Sequence, residues 1–214
     1  MKYIDIHTHR LPEKEQGNVV RFLNLIVGQS HASDYPSHLP FSAGIHPWYI
    51  EGDGRAQLEA LWEVARQPEV WMIGEAGLDK TRPDLPFQQT LFEEQALMAE
   101  ELRKPLVIHG VKCWAELTEI RRRLRPTSAW VIHGFRGKSP QARQLLQEGF
   151  FLSFGEIYHD ASLQAAYPHR FFLETDESTL SVPTLYLRAS KALSLPLAEV
   201  AKQAEMNLES IISY

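Results

Sequence analysis

Seven side chains able to hold a divalent cation or a phosphate are spread along this chain: His7, His9, His46, Glu75, His109, His133 and Asp176. Each stands where a short apolar run stops. In an extended strand alternate side chains share a face, so the imidazoles of His7 and His9 can both reach one cation. Imidazoles and carboxylates are ligands for Zn²⁺, Mn²⁺ or Mg²⁺, and such a cation lowers the pKa of water for a hydrolytic attack. A His-x-His pair alone is a weak signal. The pair gains weight only if the other five side chains can be brought to the same place.

The elements that must bring them there are strands and helices in alternation. Buried-type strands are expected at 4–9, 19–27, 41–45, 70–73, 105–108, 129–132, 150–154 and 171–175, each a short continuous apolar run. Helical spacing appears at 57–65, 86–102, 114–124, 139–148, 157–166, 183–193 and 196–212. Pro86 and Pro140 sit where helices open, and Gly149 stops the fourth. Alternation makes the sheet parallel, and eight strands imply a TIM-type (β/α)8 barrel within one domain, residues 1–214. A doubly wound sheet is the rival, disfavoured because no Gly-rich phosphate loop follows the first strand. The polar segments 10–18 and 28–40 are turn-like, so helices after strands one and two are missing. The C-terminal helices or a second chain must then cover those strands, and the C-terminal helices are favoured. In such a barrel the C-terminal strand ends form one mouth, where catalytic groups come from several strands. Gly44, Gly74, Gly110 and Gly134 would keep the backbone open beside the seven side chains.

Composition narrows the function classes. At 214 residues with 44% hydrophobic and 23% charged content, the chain reads as an ordinary soluble globular domain. No apolar run nears the ~20 residues of a membrane span, and no signal peptide opens the chain, so a cytoplasmic protein without membrane partners is expected. The single cysteine, Cys113, suits a reducing compartment. A net charge of −5 gives no general attraction for polyanions, so a phosphoester must be held by local cations or metal.

The blocks Asp5-Ile6-His7-Thr8-His9, Gly44-Ile45-His46-Pro47, Gly74-Glu75-Ala76-Gly77-Leu78-Asp79, Pro105 through His109, Ile132-His133-Gly134-Phe135-Arg136-Gly137 and Leu173-Glu174-Thr175-Asp176 resemble the successive signatures of the TatD family. These are metal-dependent hydrolases related to amidohydrolases, with DNases among them. PHP-type phosphatases also begin with Asp-x-His-x-His but lack the Gly-Glu-x-Gly-Leu-Asp block. The resemblance implies two divalent metal ions (Mg²⁺, Mn²⁺ or Zn²⁺): His7, His9 and Asp176 on one, His109 and His133 on the other, and Glu75 bridging. Two cations about 3.5–4 Å apart can clamp a phosphodiester during in-line attack. Asp176 is then also the expected general base, and Glu75 the second catalytic carboxylate. His46 is expected to face the substrate as a phosphate donor and not to hold metal.

Several positions depart from the family pattern. His109 is followed by Gly110-Val111-Lys112-Cys113 where an arginine is usual, so Lys112 is either its substitute or a solvated lysine. Arg136, in a Gly-bounded loop, is the stronger phosphate contact. Cys113 has no histidine placed as its base and is assigned to packing. Glu177-Ser178-Thr179 replaces the residues that usually follow the last aspartate, and Glu156 adds an acid near the mouth. Arg121, Arg122, Arg123 and Arg125 suit a helix C-terminus and are assigned to solvent. Trp62, Trp71, Trp114 and Trp130 are assigned to the core, whereas Trp48 is placed near substrate. The expectation is a monomeric deoxyribonuclease or phosphodiesterase acting on DNA or a small phosphodiester. A deacylase or lactonase using the same cage, and a non-catalytic trimmed barrel, are the alternatives.

Overall fold

The computed structural model describes residues 1–11, 17–30 and 38–212. Its strands are β1 (Tyr3–Thr8), β2 (Val19–Ile26), β3 (Phe41–Gly44), β4 (Val70–Asp79), β5 (Leu106–Val111), β6 (Trp130–Ile132), β7 (Phe151–Phe154) and β8 (Phe171–Leu173). Its helices are α1 (Arg55–Ala65), α2 (Leu85–Glu101), α3 (Trp114–Leu124), α4 (Ser139–Gln147), α5 (Asp160–Ala166), α6 (Val182–Leu193) and α7 (Leu197–Ile211). The strands follow one another in chain order through one sheet, with parallel pairing, the strand sequence of a (β/α)8 barrel fold. Among the described residues no helix follows β1 or β2. The turn-like segments expected there fall partly on 12–16 and 31–37, outside the described residues.

Backbone packing divides the chain into two compact units, Met1–Phe22 with Ile132–Tyr214, and Leu23–Val131. In the first, the two C-terminal helices pack against β1, the cover favoured from the sequence for that strand. The buried Tyr186 hydroxyl of α6 donates to the carbonyl of Ile4 and accepts its N–H, both at 2.9 Å. Asn207 of α7 donates to the carbonyls of Pro168 and Phe171 at 2.9 and 3.0 Å, fixing the approach to β8. The N-terminus of α6 is set by Ser181, whose side chain accepts the N–H of Thr184, with Pro183 in the first turn.

In the second unit α2 carries most of the positioning. Asp84 caps it and Pro86 lies in its first turn. Gln88 and Gln95, seven residues apart, share its buried face. Gln88 accepts from the N–H of Asp79 (2.7 Å) and donates to its carbonyl (3.2 Å). Gln95 does the same at Ile45 (2.7 and 3.2 Å). One helix face thus satisfies the backbone at the ends of β3 and β4, next to His46 and at Asp79.

β4 is longer than the sequence suggested. The apolar run stops at Ile73, yet the strand continues through Glu75 to Asp79, and its register with β5 shifts between Ile73 and Ala76. Gly74 and Gly77 are there because β5 passes very close. A Cβ on Gly74 (φ +118°) would lie 2.2 Å from the carbonyl oxygen of Val107, and one on Gly77 1.9 Å from that of His109. Likewise β5 runs on to Val111, beyond the expected end at Ile108.

Glu100 at the end of α2 binds the loop before β6, accepting from the N–H and hydroxyl groups of Thr127 and Ser128. Burial opposes its ionisation, but these donors outweigh it and hold the carboxyl down at about 2. Because the folded value lies below the ordinary 4.5, the stabilisation is full above about pH 5 and is lost as pH falls towards 2. Glu100→Gln is expected to cost about 1–2 kcal/mol at neutral pH, with the gap to wild type closing on acidification in urea melts.

Candidate metal centre

In the first unit His7 lies in β1 and His9 just past its end. Their Nε2 atoms lie 3.2 Å apart, the rings nearly perpendicular, so both nitrogens face one point. Asp176 Oδ1 lies 3.9 Å from His7 Nε2 and 3.7 Å from His9 Nε2. Donors at roughly 2.0–2.2 Å from a tetrahedral cation stand a little over 3 Å from one another, so this set fits an ion with slight closure. The ring of His133, just past β6, lies 4.4 Å from that of His7. Donor atoms of His7, His133 and Asp176 all fall within 4.8 Å of one another.

Backbone bonds hold Asp176 against β1. Its N–H donates to the carbonyl of His7 (3.0 Å), and its own carbonyl accepts from His9 N–H (3.2 Å) and the Thr8 hydroxyl (3.0 Å). Asp5 anchors the same junction from beneath, accepting from the Thr175 N–H and hydroxyl, each at 2.8 Å, and from Arg21 Nε at 3.2 Å. Asp5 is fully buried, and burial pushes its carboxyl up to about 6 against the pull of Thr175 and Arg21. Glu174 orients His133: its Oε1 accepts from Gly134 N–H (2.6 Å) and lies 3.4 Å from His133 Nδ1. Burial favours its neutral form, but His133, His7 and Ser153 together keep the carboxyl below its usual range. Sequence reasoning quoted Asp5, Glu174 and Thr175 without a role. The available signal was alternation, which puts Asp5 on the face of His7 and His9.

In the second unit Glu75 is 2% exposed and meets two histidines. Its Oε1 lies 2.8 Å from His109 Nδ1 and 3.1 Å from His46 Nε2, and those two nitrogens are 3.3 Å apart. This trio also meets the spacing of a cation cage. The ring of His46 is further constrained, because its Nδ1 accepts the N–H of Trp48 at 3.1 Å. A nitrogen that accepts carries no proton, so the ring proton sits on Nε2, and His46 faces Glu75 as a donor. That hydrogen bond favours a donor over a cation ligand. Asp79 lies beside His109, Oδ2 to Nε2 at 3.6 Å. It accepts from Thr81 N–H (2.8 Å), Thr81 hydroxyl (2.6 Å) and Trp48 Nε1 (2.7 Å). Burial works against its charge, but Thr81 and Trp48 hold the carboxyl below the ordinary value.

Lys112 and Arg136, the expected phosphate contacts, are both exposed, in the second and first unit respectively, and Lys112 has φ +57°. Glu156 is exposed and accepts from the Ser178 hydroxyl at 2.7 Å. Cys113 is buried, 3.0 Å from the Leu78 carbonyl, and burial pushes its thiol up to about 12. A thiol reagent at pH 8 is expected to leave the folded protein unmodified and to titrate one thiol after denaturation.

Comparison with known proteins identifies the family. The family model described as TatD related DNase matches residues 24–212. An uncharacterized metal-dependent hydrolase of Haemophilus influenzae is 24% identical over 184 residues, 72% of this chain and 70% of the relative. YjjV of Escherichia coli K12, also described as an uncharacterized metal-dependent hydrolase, is 31% identical over 149 residues, 68% of this chain and 55% of its own. The 3'-5' ssDNA/RNA exonuclease TatD of Erwinia tasmaniensis is 30% identical over 126 residues, 58% and 49% of the two chains. The chain thus spans between 49% and 70% of these relatives' lengths. The crystal structure of E. coli YjjV, a TatD homolog, matches with a TM-score of 0.83 at 21% identity, covering 98% of this chain and 97% of that one, a likeness of fold.

Proposed function

The chain belongs to the TatD-related DNase family of metal-dependent hydrolases, and from that premise we propose that it cleaves phosphodiester bonds in DNA or a smaller phosphodiester. The observation that carries this is the convergence of His7 and His9, Nε2 to Nε2 at 3.2 Å, beside the Asp176 carboxylate. We assign His7, His9 and Asp176 to one divalent cation. A second cation, implied by the family resemblance, would be held by His109, His133 and Glu75. The cations would acidify water and neutralise phosphate charge. Mg²⁺, Mn²⁺ and Zn²⁺ all suit a donor set of imidazoles and carboxylates.

The chain's own residues do the rest. Asp176, whose side chain is 29% exposed, accepts the proton of the attacking water. Glu75, buried between two histidines, aims its carboxyl at His109 and His46. His46 offers its Nε2 proton to a phosphate oxygen, a role its bond to Trp48 N–H prepares. Arg136 and Lys112, both exposed, counter the charge of the incoming strand. We take the working unit to be one domain, residues 1–214, acting as a monomer in the cytoplasm, a setting that suits its one free cysteine. Among the described residues no helix is long and apolar enough to cross a membrane.

The test is incubation of metal-loaded protein with single-stranded DNA, a generic phosphodiester, an acylated amine and a lactone. Cleavage of either phosphodiester supports the proposal. Turnover of the amide or lactone alone would move the same site to deacylation or lactone hydrolysis.

A further inference from the structure

We propose that Trp48, with Tyr49 and Arg82, forms a subsite that receives an unpaired nucleobase and its phosphate next to His46. The inference rests on the phosphodiester reading above and adds the residues that would hold the substrate: a base face on Trp48 and a phosphate at Arg82. Trp48 is 47% exposed and Tyr49 37% exposed, among the largest apolar side chains left to solvent in the second unit. A single exposed aromatic needs no explanation. This one is held in place from several sides. Its indole N–H donates to Asp79 at 2.7 Å, and its backbone N–H to His46 Nδ1 at 3.1 Å. Its ring stands edge-on to His46 and His109, with centroids at 5.2 and 5.8 Å. The carboxylate it binds is itself fixed by two bonds from Thr81.

The hydrogen bond that the half-exposed indole donates to a buried carboxylate orients the ring, one face of which lies under the Arg82 guanidinium and leaves the other for a ligand. A ring already fixed loses little freedom when a ligand stacks on it. Tyr49 adds a second aromatic surface, its ring 5.6 Å from that of His46. The guanidinium of Arg82 lies 4.5 Å from the Trp48 ring centroid and brings a cation to the same spot. Aromatic faces beside a guanidinium are how single strands are held, since every base has a π face and every link a phosphate. Stacking is blind to base identity, so the subsite tolerates any base. It rejects duplex, whose bases are already stacked and paired.

Two measurements test this. The first compares cleavage of a short single-stranded oligonucleotide with one whose terminal residues are abasic, so that charge is kept and the base face removed. Wild type is expected to favour the intact strand by roughly tenfold in kcat/KM, mostly through KM. Trp48→Ala is expected to abolish that preference, and Trp48→Phe, which keeps an aromatic face, to retain most of it. A preference unaltered by Trp48→Ala would overturn the proposal. If wild type cleaves neither strand, the phosphodiester reading fails, and the second measurement still judges the subsite. Adenosine 5'-monophosphate should quench tryptophan fluorescence saturably in wild type, but not in Trp48→Phe, and ribose 5-phosphate should quench neither. Quenching that persists in Trp48→Phe, that ribose 5-phosphate reproduces, or that never occurs, refutes it.

Discussion

Asp176→Asn protein is expected to fold normally and to lose roughly 10²–10⁴-fold in kcat. The fold survives because the groups of Asp176 that bind β1 are its N–H and carbonyl, which asparagine keeps. The backbone conformation also survives: φ is +52° here, and asparagine is among the side chains that tolerate that region. What goes is a carboxylate oxygen 3.9 and 3.7 Å from the imidazole nitrogens of His7 and His9. In the proposed centre that oxygen is both a cation donor and the proton acceptor, and an amide is poor at either task. Circular dichroism, metal content and kcat at saturating metal would be measured on one preparation. A folded variant with wild-type kcat would remove Asp176 from the chemistry.

Gly77→Ala is expected to be the most damaging small substitution, costing about 3 kcal/mol, the upper end of the range for overpacked sites. The added methyl would sit 1.9 Å from the His109 carbonyl oxygen and 2.8 Å from its carbon, atoms of a neighbouring strand that no rotamer change can move. Relief requires β4 and β5 to part where Gly77 pairs with His109. Glu75 lies two residues from Gly77 on that strand, so the 2.8 Å approach of Glu75 to His109 is lost with it. Thermal or urea unfolding together with metal retention checks both effects. A variant within about 0.5 kcal/mol of wild type would mean that the strands yield without cost.

Much of this was legible in the sequence because short apolar runs alternating with stretches of helical spacing point to the strands of a parallel sheet. The strand order and the helices that follow β3 to β8 came from periodicity and from proline and glycine punctuation. The residue types at the strand ends came from the same pattern. β4 was cut short because Gly74, Glu75, Gly77 and Asp79 break an apolar run. Only the closeness of β5 shows that two of them are glycines for contact and not for turning. The supports of the site were also invisible one by one. Asp5 and Thr175 are 170 residues apart, and Trp48 and Asp79 are 31 apart. Gln88 and Gln95 were legible as one helix face, yet nothing in their spacing says that their amides end two strands. Arg82 carried no signal at all, lying in a polar turn before α2. Its place over Trp48 follows from the course of the loop that Thr81 and Asp79 fix.

The central claim, a metal-dependent phosphodiesterase centre built on His7, His9, Glu75, His109, His133 and Asp176, is tested most directly by one titration. Chelator-stripped protein would be assayed for cleavage of a single-stranded oligonucleotide while Mn²⁺, Mg²⁺ or Zn²⁺ is added back, with bound metal measured at each point. The account predicts no cleavage by the stripped protein and a rise that tracks bound cation in at least one of the three metals. Cleavage that survives stripping, or full metal loading without cleavage in all three, would contradict it.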